Sequence, residues 1–335
     1  MKEIVIISGK GGTGKTSITA SFAALAGNAI LADCDVDASD LHLVLSPIIN
    51  AREKFLCGHE AVIRQDVCIG CGACLARCRF GAVTRLETEG DWNTHSRVLA
   101  NCSDCDICKR SCSVRTNQVI QEMIDTGCSP RESSFVIDPT ACEGCGVCVW
   151  TCPVKAIDFP ERDSGEWYIS DTRYGPMVHA RLNPGGENSG KLVSKVRETA
   201  KQIANDQKRD LILIDGPPGT GCPVIASLTG ASLALIVTEP TLSGAHDLNR
   251  VLELTAHFGI RSFVCINKWD LNPEMTEQIE TETVKKGASI AGRIRYDSAV
   301  TRAQIQNKAV VELHDEPVGK DIQTVWRKIC EYVAK

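Results

Sequence analysis

The stretch Ser8-Gly9-Lys10-Gly11-Gly12-Thr13-Gly14-Lys15-Thr16-Ser17 constrains this chain more than any other. It contains G-x-x-x-x-G-K-T, the spacing at which backbone N–H groups cradle phosphate. Upstream, Glu3-Ile4-Val5-Ile6-Ile7 is a β-branched run of the kind a buried parallel strand requires. Downstream, Ile18, Phe22 and Leu25 recur at helical spacing until Gly27, which suits the position just past a helix end. Strand, glycine loop and helix start therefore follow in the order a nucleotide site demands. The nucleotide-binding stretch is Gly11, Gly12, Thr13, Gly14, Lys15, Thr16 and Ser17, whose N–H groups would wrap the β-phosphate at the positive helix end. Lys15 would neutralise the β/γ oxygens and the Thr16 hydroxyl would ligate Mg²⁺. Further on, Asp210-Leu211-Ile212-Leu213-Ile214-Asp215 reads as a buried strand ending in an acid. Asp215 would hold the Mg²⁺ shell, and the Gly219 region would sense the γ-phosphate.

With 43% hydrophobic and 24% charged residues, the 335-residue chain has the balance of a soluble globular protein. A net charge of −5 provides no basic field for nucleic acid or an acidic membrane. No apolar run approaches the roughly 18 residues needed to cross a bilayer. The chain enters a strand at once, leaving no room for a signal peptide, so a cytoplasmic location is expected. Thirteen of the eighteen cysteines fall between Cys68 and Cys152. Such clustering in a reduced compartment reads as metal ligands rather than disulfides.

Those cysteines form an internal repeat. Cys68, Cys71, Cys74 and Cys78 follow a C-x₂-C-x₂-C-x₃-C pattern, which recurs at Cys142, Cys145, Cys148 and Cys152 with a trailing Pro153. The spacing is that of bacterial two-cluster ferredoxins, in which the fourth cysteine of each run serves the other cluster. One [4Fe–4S] cluster is thereby assigned to Cys68, Cys71, Cys74 and Cys152, and another to Cys142, Cys145, Cys148 and Cys78. Arg79 stands where the first run should carry proline. Zinc is the rival metal, although it favours paired C-x₂-C knuckles. Between these runs Cys102, Cys105, Cys108 and Cys112 repeat the spacing without intervening glycines. They would hold a third [4Fe–4S] cluster, a zinc ion or nothing, with Cys128 as an alternative ligand.

Beyond a Pro-, Gly- and charge-rich stretch at 158–166, expected to be a return linker, the chain alternates strand and helix patterns. Ser189 and Ser243 are placed to open helices, the first carrying Leu192, Val196, Ala200 and Ile203 on one face. A last helix over 321–334 puts Ile322, Val325, Trp326, Ile329 and Val333 on one face and reads as core-packing rather than membrane-gripping. This alternation predicts an α/β fold with a doubly wound, mainly parallel sheet.

Gly9-Lys10-Gly11-Gly12-Thr13-Gly14-Lys15-Thr16, with its early lysine, resembles the deviant P-loop of the MinD/ParA/nitrogenase iron-protein superfamily. Asp33-Cys34-Asp35, Asp215–Pro223 and Thr238–Gly244 are similar to it as well, and the cysteine repeats match its members that carry an inserted ferredoxin domain. The resemblance covers nearly the whole chain; the third cysteine run departs from it. It implies a discontinuous MinD-like ATPase domain, residues 1–57 and 164–335, around a ferredoxin-like iron–sulfur domain at 58–163. It further implies an ATP-bound homodimer in which Lys10 reaches the partner's nucleotide. Asp35 would then position the attacking water, Asp33 would bind Mg²⁺ through water, and Asn267 would hydrogen-bond adenine, unless it only closes its strand. Cys222 would be a switch cysteine touching a cluster, or a packed thiol. The function so implied is ATP-driven assembly or insertion of an iron–sulfur or molybdenum-containing cluster in a client protein. The alternative is an ATP-gated low-potential electron donor to a redox partner. Nucleic acid and stable membrane association are not expected.

Overall fold

The computed structural model describes residues 1–86, 134–186, 188–314 and 316–333. It divides into two compact units, Met1–Phe55 with Gly165–Lys335, and Leu56–Ser164.

The larger unit is organised by a nine-stranded sheet. Its strands are β1 (Lys2–Ser8), β2 (Ile30–Asp33), β3 (Ile48–His59), β8 (Glu161–Thr172), β9 (Gly175–Leu182), β10 (Leu211–Pro218), β11 (Leu233–Thr238), β12 (Ser262–Asn267) and β13 (Ser289–Ile294), ordered β13-β12-β11-β1-β10-β2-β9-β8-β3. From β13 to β9 neighbouring strands pair in parallel; β8 runs antiparallel to β9. Successive residues of β1 serve opposite faces. Ile4 and Ile6 join Phe22, Leu31 and Ile322 on one side, while Val5 and Ile7 join Leu192, Val196 and Val251 on the other. A sheet buried on both faces explains why its strands read as continuous apolar runs. Phe22 of helix α1 (Lys15–Ala26) meets Trp326 of the helix Pro317–Val333 at 4.8 Å between ring centroids. The last helix is thus a core element, with Ile322, Val325 and Ile329 buried. No helix among the described residues is long and apolar enough to cross a membrane.

Three local expectations change. Asn188, not Ser189, occupies the cap position of Ser189–Asp206. The helix Leu242–His257 is capped by Thr241, whose hydroxyl accepts from Gly244 N at 3.0 Å, so Ser243 lies inside it. Residues 158–166 are largely strand rather than linker, because Gly165 and Glu166 pair with Leu182 and Arg181. Neighbouring strands here override composition. Gly165 is required, since a Cβ would lie 2.5 Å from the Arg181 carbonyl oxygen.

The smaller unit repeats itself. A strand β4 (Val62–Ile63), a short helix Ala73–Arg77 and β5 (Val83–Leu86) are echoed by β6 (Ser134–Ile137), a helix Val147–Thr151 and β7 (Ile157–Asp158). The first strand of each half pairs antiparallel with the last strand of the other, β4 with β7 and β5 with β6. The helices begin after Gly72 and Gly146, both at φ 72°, and end at Cys78 (φ −72°, ψ 112°) and Cys152 (φ −74°, ψ 113°). Left-handed backbone before each helix selects glycine at both places.

Candidate functional site

β1 delivers the chain to Ser8, whose hydroxyl donates to the Lys10 carbonyl at 2.6 Å and draws the loop tight. Gly12 (φ 76°) and Gly14 (φ 90°) take left-handed conformations that let the backbone turn into α1. At Gly14 a Cβ would also lie 2.5 Å from Asn267 Nδ2. The start of α1 has no side-chain cap, which leaves the first N–H groups of a positive helix end turned toward the loop.

Behind the loop lies a row of acids at the carboxyl ends of the parallel strands. Asp215 on β10 is the register partner of Asp33 on β2, and both are buried. Asp33 accepts from Ser39 Oγ at 2.7 Å and from Asp35 N at 3.1 Å. Thr19 Oγ1 donates to Asp215 Oδ1 at 3.0 Å, whereas buried Asp215 Oδ2 has no hydrogen-bond partner among the described residues. Lys15, itself buried, places Nζ 3.9 Å from Asp35 Oδ2. Burial raises the pKa of Asp33 well above the usual carboxylate range, and Asp215 raises it further. Burial likewise raises Asp215, against the opposing pull of Lys15, Thr16 and Thr19. Asp35 is pushed up to about 6 by burial even though Lys15 opposes the change. Three carboxylates and one ammonium are short of positive charge. Hard oxygen donors and an orphaned carboxylate oxygen fit a hydrated Mg²⁺ at this place.

Lys10 folds back within its own chain. It forms an ion pair with Glu239 and donates to Ser243 Oγ at 3.2 Å. Glu239 also binds Lys268 Nζ at 3.2 Å, and that ammonium reaches the Gly12 carbonyl at 3.4 Å. Although burial pushes Glu239 up, hydrogen bonds from Lys10 and Lys268 outweigh it and hold the carboxyl below its usual range. Sequence reasoning passed over Glu239 and Lys268; the available signal was their place just past the ends of β11 and β12. Asn267 is committed to the loop, with Nδ2 donating to Thr13 O at 2.8 Å and Oδ1 accepting from Lys268 N at 3.0 Å. Gln304 Nε2 donates to Ser17 Oγ at 3.1 Å.

In the smaller unit Cys68, Cys71, Cys74 and Cys152 line a single recess, closed by Ile63, Phe135 and Ile157. Burial raises the Cys71 thiol and pushes Cys74 up to about 12. Burial and the adjacent Cys142 and Cys145 raise Cys148. At Cys78 the modest effect of burial is overcome by N–H groups of Phe80, Ala82, Val83 and Gly81, so the thiol titrates below its usual value. Its counterpart Cys152 accepts from Ala156 N at 3.2 Å. Among the described residues no three His, Cys, Asp or Glu side chains gather closely enough to hold one metal ion, and no described cysteine is in a disulfide. Cys68, Cys71, Cys74 and Cys152 thus share one recess, and Cys142 and Cys145 lie near enough to Cys148 to act on its thiol. Cys102, Cys105, Cys108, Cys112 and Cys128 lie outside the described residues. Cys222 is exposed at the first turn of the helix Cys222–Leu228, where its Cβ packs 3.4 Å from the position a Gly190 Cβ would take.

Comparison with known proteins agrees with the phosphate loop. The CobQ/CobB/MinD/ParA nucleotide binding domain family matches residues 4–310. An uncharacterized protein of Methanocaldococcus jannaschii is 30% identical over 340 residues, covering 99% of this chain and 97% of that one. The cell division ATPase MinD of Pyrococcus furiosus shares the fold, with a TM-score of 0.53 at 16% identity and 99% of each chain covered. Pyruvate synthase subunit PorD of Methanothermobacter marburgensis is 37% identical over 76 residues, 22% of this chain and 76% of that subunit.

Proposed function

The chain belongs to the CobQ/CobB/MinD/ParA nucleotide-binding family and is a P-loop ATPase, and from that premise we propose that its ATP cycle governs iron–sulfur work carried out by the 56–164 unit. The work is assembly or insertion of an iron–sulfur or molybdenum-containing cluster in a client protein. The observation that supports it most is the recess shared by Cys68, Cys71, Cys74 and Cys152, three from one run and one from the other. That crossed set is the one bacterial two-cluster ferredoxins use. Thiols spread around an apolar recess suit a polynuclear cluster better than a single zinc ion, which needs sulfurs about 2.3 Å from one centre. Cys142, Cys145, Cys148 and Cys78 would hold the second cluster. Bound there, the clusters supply one-electron chemistry at low potential and, when labile, transferable iron and sulfide.

In the ATPase unit the N–H groups of Gly11 to Ser17 bind the phosphates, and Lys15 spreads positive charge over the β/γ oxygens. Thr16, Asp33 and Asp215 are the groups that would hold Mg²⁺, which neutralises phosphate charge. Asp35 orients the attacking water. ATP joins two copies of the chain, and Lys10 leaves Glu239 to reach the partner's nucleotide. Closing and reopening of the dimer then controls when the cysteine unit is presented to its client.

A second reading, an ATP-gated electron donor, draws on the likeness to a pyruvate synthase subunit; a comparable segment serves there as part of an assembled enzyme. Anaerobic purification tests the shared premise. About eight irons and eight sulfides per chain support two cubanes, about twelve of each support a third at Cys102–Cys112, and colourless, iron-free protein refutes both readings. Capture with non-hydrolysable ATP separates them: a cofactor-binding apoprotein supports assembly, a redox enzyme supports electron delivery.

A further inference from the structure

The two halves of the smaller unit share a backbone pattern but differ in what they show to solvent. Around Cys152, which ends the second helix, stand Val149, Thr151, Pro153 and Val154; none is charged, and Val154 lines the recess together with Cys152. Around Cys78, which ends the first helix, the same positions hold Leu75, Arg77, Arg79 and Phe80. All four are exposed, Leu75 to 42% and Phe80 to 51%. From Leu75 to Gly81 only Cys78 is drawn back from solvent, and it is half-buried. The first half thus leaves an aromatic ring on the surface where the second half turns a valine to the recess.

Neither guanidinium on this segment is neutralised. Arg77 and Arg79 form no ion pair, hydrogen bond or ring contact among the described residues. Arg64 of the same unit, by contrast, pairs with Asp158 at 3.2 Å, and Arg162 donates to the Cys142 carbonyl at 3.2 Å. The turn does not select arginine either. Cys78 and Cys152 take the same backbone conformation, φ −72° and −74°, with Arg79 after one and Pro153 after the other. Free arginines beside exposed apolar side chains are the composition of a protein-binding face, where aromatic residues and arginine are enriched. Such a face complements carboxylates set around an apolar centre. On a chain of net charge −5 it is no extended basic track of the kind a polynucleotide backbone follows.

We propose that the segment Leu75–Gly81 is a docking face for a partner protein with an acidic, partly apolar surface, which it seats beside Cys78. The proposal rests on the iron–sulfur reading and adds the kind of surface that the client or redox partner brings. The test reads the local field with small oxidants added to the reduced, anaerobically purified full-length protein. One electron passes from a cluster to the probe, and cobalt(III) becomes cobalt(II). The anionic probe is tris(oxalato)cobaltate(III); the cationic one is hexaamminecobalt(III). Wild type, Arg79→Glu and Lys155→Glu are compared, the two variants having equal net charge while Lys155 flanks Cys152 instead. In dilute buffer R79E should slow the anionic probe about 10-fold relative to K155E and leave the cationic probe no slower. The difference should vanish near 1 M salt, where the Debye length is about 3 Å. Arg79→Lys keeps the charge and should keep the wild-type rate, which separates the field from damage to the turn at Cys78. The protein retained in capture with non-hydrolysable ATP should be released by salt and missed by R79E. Equal slowing by R79E and K155E, a difference that survives 1 M salt, or a partner retained equally by R79E overturns the proposal and leaves the clusters in place. Salt-sensitive self-association, or binding of a dT oligonucleotide, that R79E abolishes assigns the face to a second copy or to nucleic acid and overturns it as well. Colourless, iron-free protein refutes the iron–sulfur reading and this proposal together.

Discussion

The two units of this chain hold themselves together by different means. The larger one covers both faces of its sheet, with Ile4, Ile6 and Phe22 in one core and Val5, Ile7 and Leu192 in the other. Burying each such side chain contributes about 1.5–3 kcal/mol. The smaller unit has Ala61, Ile63, Cys74, Val83, Phe135 and Ile157 as its described core, with Cys68, Cys78, Cys142, Cys148 and Cys152 packed against them. Small cores rarely suffice without staples, and here the candidate staples are thiols with no disulfide among them. One region buries apolar surface in order to position phosphate chemistry; in the function proposed above, the other keeps its cysteines for inorganic chemistry and depends on it.

Iron removal should divide the molecule most sharply. Stripping metal with a chelator under reducing conditions should abolish hydrogen-exchange protection at Ile63, Phe135 and Ile157, while β1 and β10 keep theirs. Retained protection in the small unit would break the comparison. Conversely, Arg197→Met should harm the larger unit alone. Arg197 and Lys201 pair with buried Glu3, and Arg197 also donates to the carbonyls of Ala226 and Thr229 at 2.6 and 2.8 Å. Removing one partner of such a pair costs about 3–5 kcal/mol, with Lys201 holding the loss near the lower figure; denaturant melts should show it with iron content unchanged.

A smaller effect comes from His179, held by Ser170 at 2.9 Å and stacked on Tyr168 at 4.9 Å. Burial, with a contribution from His42, lowers its pKa to about 4. Below about pH 6.5 the unfolded chain protonates this ring first, so stability present above that pH is lost as pH falls toward 4. The loss is roughly 3 kcal/mol. His179→Gln should flatten that slope in melts between pH 7 and 4, and an unaltered slope would contradict the assignment. Smallest is Thr241→Ala, which removes a helix cap and should cost about 1 kcal/mol, read as a modest drop in melting temperature.

What the sequence carried openly was whatever depends on local spacing. The β-branched run before the phosphate loop, the glycines within it and the acid toward the carboxyl end of β10 are recognisable because strand, turn and helix each impose a short-range rule. Cys152 lines one recess with Cys68, Cys71 and Cys74, the neighbours that the same kind of spacing leads one to expect. Glu239 and Lys268 were hidden for the opposite reason. They lie more than two hundred residues from the loop they serve, and only parallel crossovers bring them to it. The strand at 161–172 was hidden too, since its sequence Glu161-Arg162-Asp163-Ser164-Gly165 has turn composition and is drawn into a ladder by its neighbours.

The central claim is that nucleotide state controls the iron–sulfur unit. It is tested most directly by the rate at which a chelator extracts iron from the reduced, anaerobically purified protein, with and without Mg-ATP, in the wild type and in Lys15→Ala. The account predicts a rate that changes several-fold on adding ATP to the wild type and does not respond in K15A. Equal rates in all four conditions would contradict it.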